Sequence, residues 1–154
     1  MAENLFDVTK LKETKGRILG VDFGDARTGL AISDPGRFLA SAIGTVSPGG
    51  IEKTANRVAE IALEQKAVAV VVGLPKNMDG TEGFRADRCR EFAEMLAERL
   101  PDLSIAMMDE RLTTVSASRY LNETNTRGSK RKGVIDTLSA EIILQNTLDK
   151  LKML

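Results

Sequence analysis

Asp22, the pair Asp109-Glu110, and Asp136 are the acidic residues that solvent exposure alone does not explain. Asp22 lies within Ile18-Leu19-Gly20-Val21-Asp22-Phe23, close to the end of an apolar run. An isolated buried carboxylate is unfavourable and needs a metal, a cation or hydrogen-bond donors around it. Gly20 and Gly24 leave the neighbouring backbone bare, so a phosphate can approach closely. The same residues also fit an aspartate that ends a strand and accepts hydrogen bonds from the following turn. Asp109-Glu110-Arg111 follows a second apolar run. Successive side chains on a strand face opposite ways, so only one of these two acids can share a face with Asp22. Glu110 is assigned to that face and Asp109 to the other; a solvated charged turn is the plain alternative. Asp136 opens a helical segment in which its neighbours at helical spacing are Ala140 and Ile143, so its face looks inward. Complementing the helix dipole is worth about 0.3–1 kcal/mol. That accounts for an acid near a helix start but not for its apolar neighbours.

Three carboxylates on separate elements suit hard divalent cations with oxygen ligands, Mg²⁺ or Mn²⁺, as one ion or two. Two ions roughly 3.5–4 Å apart can clamp the attacking and leaving oxygens of a phosphodiester, with water as the nucleophile. The chain contains no His, which excludes a Ser-His-Asp triad, a Cys-His pair and His-ligated zinc. Cys89 is the only cysteine, so there is no intramolecular disulfide and no multi-thiolate zinc site. That usage suits a reducing cytoplasm. Lys plus Arg and Asp plus Glu balance at 22 each, so nucleic-acid binding has to come from a local basic patch. Arg127, Lys130, Arg131 and Lys132 crowd the stretch before Asp136, and Arg27 and Arg111 flank the motif acids. All six are candidates for contact with a nucleic-acid backbone, the alternative for the run being a solvated loop. With one Tyr, five Phe and no Trp, a broad base-stacking platform is not expected.

These acids need elements to carry them. At 154 residues the chain suits one domain, assigned to residues 16–154. Residues 17–23 read as a buried strand, 28–33 as its hairpin partner and 38–46 as a third strand, separated by Gly- and Pro-containing turns. The period then changes. Ile51, Ala55, Val58 and Ala62 recur at helical spacing, and Val68 to Val72 is a β-branched strand. Residues 81–100 form a helix with Cys89, Phe92, Leu96 and Leu100 on one stripe, stopped by Pro101. Residues 104–108 are a fifth strand with the acidic pair at its tip. A helix from Thr113 or Thr114 to about Asn122, a basic loop over 123–133 and a last helix over 134–154 complete the chain. Three antiparallel strands followed by α/β alternation predict an α/β fold, a mixed five-stranded sheet with helices on both faces. If the first and fifth strands are parallel, Asp22 and Glu110 meet at the rim where such sheets bind ligands. Residues 1–15 are polar and read as a flexible extension with a short helical stretch around Leu5 to Leu11. No apolar run approaches the roughly 20 residues that span a bilayer, and no signal-peptide core is present, so no membrane partner is expected.

Four segments carry a family resemblance: GVDFGDARTGLA at 20–31, GLPKNMDGT at 73–81, DERLTT at 109–114 and DTLSAEIILQ at 136–145. In this order they resemble the YqgF family, described both as Holliday junction resolvases and as pre-16S rRNA nucleases, over about Gly16 to Leu151. The resemblance implies a ribonuclease H-like fold, a cytoplasmic location, a role in ribosome biogenesis, and Asp22, Glu110 and Asp136 as catalytic acids. It favours precursor rRNA as substrate over branched DNA. The chain departs from the family in Ser139 and Glu141, where small residues are usual, and in its longer N-terminal extension. The fourth strand ends in Gly73-Leu74-Pro75, without the rim acid of related resolvases, which leaves one or two ions open. Two other classes fit part of the pattern. An actin-like ATPase or sugar kinase also starts with a Gly-x-Asp-x-Gly hairpin, but needs a second lobe for which there is no room. A non-catalytic nucleic-acid-binding assembly factor would keep the acids for structure.

Overall fold

The computed structural model describes residues 3–47, 49–77, 79–110 and 129–154, with side chains in the last segment from residue 137 onward. Its strands are β1 (Leu5–Asp7), β2 (Ile18–Asp22), β3 (Thr28–Ser33), β4 (Ala40–Val46), β5 (Ala69–Leu74) and β6 (Ser104–Asp109). The helices are α1 (Ile51–Glu64), α2 (Phe84–Arg99) and α3 (Ser129–Lys152), with a 3₁₀ helix over Val8–Glu13. All six strands form one sheet in the order β1-β6-β5-β2-β3-β4. β2, β3 and β4 pair antiparallel, whereas β2, β5, β6 and β1 run parallel. This is the expected antiparallel start followed by α/β alternation, and it points the C-terminal ends of β2, β5 and β6 the same way.

Strands with apolar side chains on both sides require cover on both sides. On one face Leu19, Val21, Val70, Val72 and Ile105 pack against Val58, Ala62, Phe92 and Leu96 of α1 and α2. On the other, Ile18, Ala31, Val71 and Ala106 meet Ala140, Ile143, Leu144 and Leu148 of α3. α3 lies directly on β2. A β-carbon on Gly20 would stand 2.7 Å from Leu144 Cβ and 3.1 Å from the Ala140 carbonyl oxygen. Among the described residues no helix is long and apolar enough to cross a membrane.

Three expectations are corrected. Among the described residues the sheet has six strands rather than five, because residues 3–15 do not hang free. Leu5 to Asp7 adds a parallel edge strand to β6, and Val8 and Leu11 are buried under α3. Asn4 Nδ2 lies 2.8–3.1 Å from the carbonyl oxygens of Ala97, Leu100 and Leu103, which answers acceptors left over at the end of α2. The Arg37 guanidinium donates to the Leu11 and Gly16 carbonyls and to Thr14 Oγ1, tying the segment to the β3–β4 turn. The polar composition hid three apolar residues at useful spacing. Second, α3 begins at Ser129 rather than Val134, so Lys130, Arg131 and Lys132 are helical residues and not part of a loop. Gly133 inside a helix costs only about 1 kcal/mol relative to Ala, which a helix anchored by buried Ile143, Leu144 and Leu148 outweighs. Third, α2 starts at Phe84 rather than Thr81. Thr81 is held in a turn instead, its N–H and hydroxyl both donating to Asp79 Oδ1. The helix expected near 113–122 lies outside the described residues.

Because Leu11 is fully buried, Leu11→Ala should destabilise the protein by about 2–5 kcal/mol, read from urea unfolding. A change near zero would restore the free extension.

Candidate active site

The pairing register aligns the site. Asp22 ends β2 one position beyond the Val21–Val72 pair, beside Gly73 of β5. Gly73 pairs with Met108 of β6, and the Glu110 N–H continues the ladder to the Leu74 carbonyl. Strand side chains alternate. Ile18 and Gly20 face α3, and so therefore does Asp22. Ala106 faces α3, and so therefore does Glu110. A β-carbon on Gly73 would stand 2.6 Å from Ile143 Cδ1 and 3.0 Å from both Cδ and Oε2 of Glu110. The Glu110 carboxyl thus leans back from β6 across the bare backbone of β5, the strand between it and Asp22. Both acids are enclosed, Asp22 at 5% and Glu110 at 4% exposure.

α3 runs over this row in the opposite sense to β2. Gln145 bonds Ala40 N and the Phe38 carbonyl at the β3–β4 turn, whereas Ala140 and Ile143 sit over Gly20 and Gly73. Position 136 is one turn further toward the rim. Four helical residues advance about 6 Å, close to the roughly 6.6 Å separating Gly20 from Asp22 along β2. Position 136 thus lies on the side of α3 away from Gln145. The Asp136 side chain is outside the described ones, and among the described residues no three acidic or thiol groups cluster as a metal site.

Asp109 faces away, with α1 and α2. Its Oδ2 lies 4.0 Å from Lys76 Nζ, which is also 3.9 Å from Glu82. Arg90 donates to both Glu82 oxygens at 2.6 and 2.7 Å and holds that carboxyl below its ordinary range. The two adjacent acids thus serve separate environments. Arg27 is half-buried in the β2–β3 turn, and Arg111 and Arg127 lie outside the described residues. Lys130, Arg131 and Lys132 are in the first turns of α3, upstream of position 136.

Sequence reasoning passed over Arg85 and read Gly73 only as a strand end. Arg85 Nη2, in the first turn of α2, is 3.9 Å from Asp22 Oδ1. The signal was available: a helix that follows β5 starts at the same rim as Asp22. A cleft of about 450 Å³ is lined by Phe6, Lys76, Arg90, Met108, Asp109 and Lys150 among others, and by neither Asp22 nor Glu110. Cavity size and the enclosed carboxylates point to different places. The carboxylates decide, since a large open cleft carries no chemical requirement and two desolvated acids do.

A family model described as "RuvX: Holliday junction resolvase" matches residues 16–150. A protein of Acetivibrio thermocellus named "Putative pre-16S rRNA nuclease" is 43% identical over 134 residues, covering 86% of this chain and 95% of its own. A relative of the same name from Ruminiclostridium cellulolyticum is 44% identical over 136 residues, covering 88% and 95%. Among solved structures, T. thermophilus RuvC in complex with a Holliday junction substrate superposes with a TM-score of 0.56 at 12% identity, covering 90% of this chain and 96% of that one. That likeness is one of fold, and the fold is ribonuclease H-like.

Gly73→Ala would push a methyl into Ile143 and the Glu110 carboxyl. It should destabilise by about 1–3 kcal/mol, measured by urea unfolding. Unchanged stability would mean that Glu110 is not packed over β5.

Proposed function

The chain belongs to the RuvX (YqgF) family, and from that premise we propose that it is a metal-dependent nuclease hydrolysing phosphodiester bonds in precursor rRNA. The observation that carries the proposal is the row Asp22–Gly73–Glu110, two enclosed carboxylates with a residue lacking a side chain between them, beneath α3. The donor set suits a hard divalent cation, being carboxylate oxygen throughout, and a β-carbon on Gly73 would fill the space beside Glu110. Asp22, Glu110 and Asp136 would hold Mg²⁺ or Mn²⁺. Such a cation supplies Lewis-acid activation of water and of the phosphodiester. The remaining work falls to the chain. Asp22 and Glu110 set where negative charge collects, and water as the nucleophile fits a chain without His. Lys130, Arg131 and Lys132 on α3, with Arg27, Arg111 and Arg127, would hold the strand by its phosphates.

The name shared by the relatives supports precursor rRNA, a cytoplasmic setting and a role in ribosome biogenesis. The family description favours a second substrate, branched DNA. Comparing the purified protein on precursor rRNA and on four-way DNA junctions separates the two: faster cleavage of junctions would reassign the substrate.

Asp22→Asn, Glu110→Gln and Asp136→Asn should each reduce cleavage by more than the roughly 10–100-fold typical of changes one shell further out. Asp109→Asn should leave it within a few-fold, since Asp109 faces the other side. Full activity in excess chelator, or in any of the three acid variants, contradicts the assignment. Replacing Arg127, Lys130, Arg131 and Lys132 with Ala should flatten the salt dependence of RNA binding by about 0.7 per lost phosphate contact. An unchanged slope would remove these residues from the interface.

A further inference from the structure

At the rim that carries Asp22, but on the α2 side of the sheet, a cleft of about 180 Å³ opens between the β2–β3 turn and the first turns of α2, and Arg85 reaches from it to Asp22. Phe23, Gly24 and Asp25 form one wall and Phe84, Arg85, Arg88 and Cys89 the other. Its walls differ in kind. Phe84 is 76% exposed although it is a large apolar ring. Arg88 is fixed as a wall, its guanidinium 3.2 Å from Asp25 and 3.1 Å from Glu91. The Arg85 side chain is 56% exposed and still reaches within 3.9 Å of Asp22. Behind them, Phe23 stacks on Phe92 with ring centroids 4.4 Å apart, so the floor is apolar and packed. Gly24 cannot carry a side chain, because a β-carbon there would lie 2.5 Å from the Arg27 carbonyl oxygen. That wall is therefore bare backbone.

A lone exposed aromatic is ordinary. An exposed ring bordering a cleft with a guanidinium at its mouth, next to an enclosed carboxylate, combines the two features that bind single-stranded nucleic acid: a stacking surface and a cation for the backbone. The volume is below the roughly 300 Å³ at which pockets for whole small ligands begin, and suits one planar ring system. We propose that this cleft receives one unpaired nucleobase of the strand being cut, stacked on Phe84, with Arg85 on the adjoining phosphate, an assignment that rests on the nuclease function proposed above. The cleft then selects single-stranded over duplex substrate near the cut and sets the register of the scissile bond relative to Asp22. Arg85 touches the substrate and positions it; proton transfer is not part of its role.

The test uses the full chain and a 12-nucleotide single-stranded RNA carrying 2-aminopurine at each position in turn, titrated in chelator so that no cleavage occurs. One position should be quenched strongly on binding. Phe84→Ala should abolish that quenching and weaken binding by about 5-fold or more, while Phe84→Tyr should keep both. Arg85→Ala should weaken binding and flatten its salt dependence, with Arg85→Lys restoring part of each. Phe84 and Arg85 are both exposed, so an unchanged thermal midpoint will show these variants to be folded. With Mg²⁺ or Mn²⁺ added, Phe84→Ala should also blur the cleavage position. Equal quenching and affinity in wild type and Phe84→Ala would overturn the proposal, as would quenching spread evenly over all positions. The nuclease reading is judged separately. Its failure is absence of metal-dependent cleavage in wild type, whereas failure of the cleft alone leaves cleavage intact, sensitive to Asp22→Asn and indifferent to Phe84.

Discussion

Two desolvated carboxylates at the rim of an apolar sheet are the constraint around which the structure is arranged. Taking an ionised carboxylate out of water costs several kcal/mol unless something compensates it. Asp22 and Glu110 are nevertheless enclosed on the same face. Three parallel strands bring them there. The period of two then decides which acid of the pair at the end of β6 joins Asp22, so that Asp109 turns toward Lys76 instead. Gly73 completes the row by presenting no side chain where Glu110 leans across.

The same constraint explains how α3 is seated. A helix can sit this low only where the strand beneath is bare, and Gly20 provides that. The close approach brings the helix over β2. The two glycines therefore act at a distance from the chemistry, one setting the height of α3 and the other leaving space for a carboxyl. The N-terminal segment contributes at the far edge. It pairs with β6, the strand that leads into Glu110, and bonds the carbonyls at the end of α2 through Asn4. An otherwise open edge beside the site is thereby covered.

Much of this was legible in the sequence. The strand of Thr28–Ser33 falls where turn residues on either side put it, and the alternation argument chose Glu110 over Asp109 correctly as to face. Both depend on local rules. What was missed depends on partners far away in the chain. Leu5, Val8 and Leu11 are sparse among polar residues and gain their meaning only from β6 and α3, so composition read the segment as free. The polar, basic composition of 123–133 reads as a loop and puts the start of α3 too late, whereas burial further along the helix governs its extent. Arg85 carries no motif of its own, and Gly73 reads in the sequence only as the glycine that ends a strand. Their importance appears once β5 is known to lie between Asp22 and Glu110.

The most direct test is anomalous diffraction from crystals soaked in Mn²⁺. The account predicts a peak at the rim within about 2.0–2.3 Å of carboxylate oxygens of both Asp22 and Glu110, with the amino-terminal part of α3 beside it, and no such peak in Asp22→Asn. A fully soaked crystal with manganese bound only elsewhere, or with Asp109 replacing Glu110 as ligand, would contradict it.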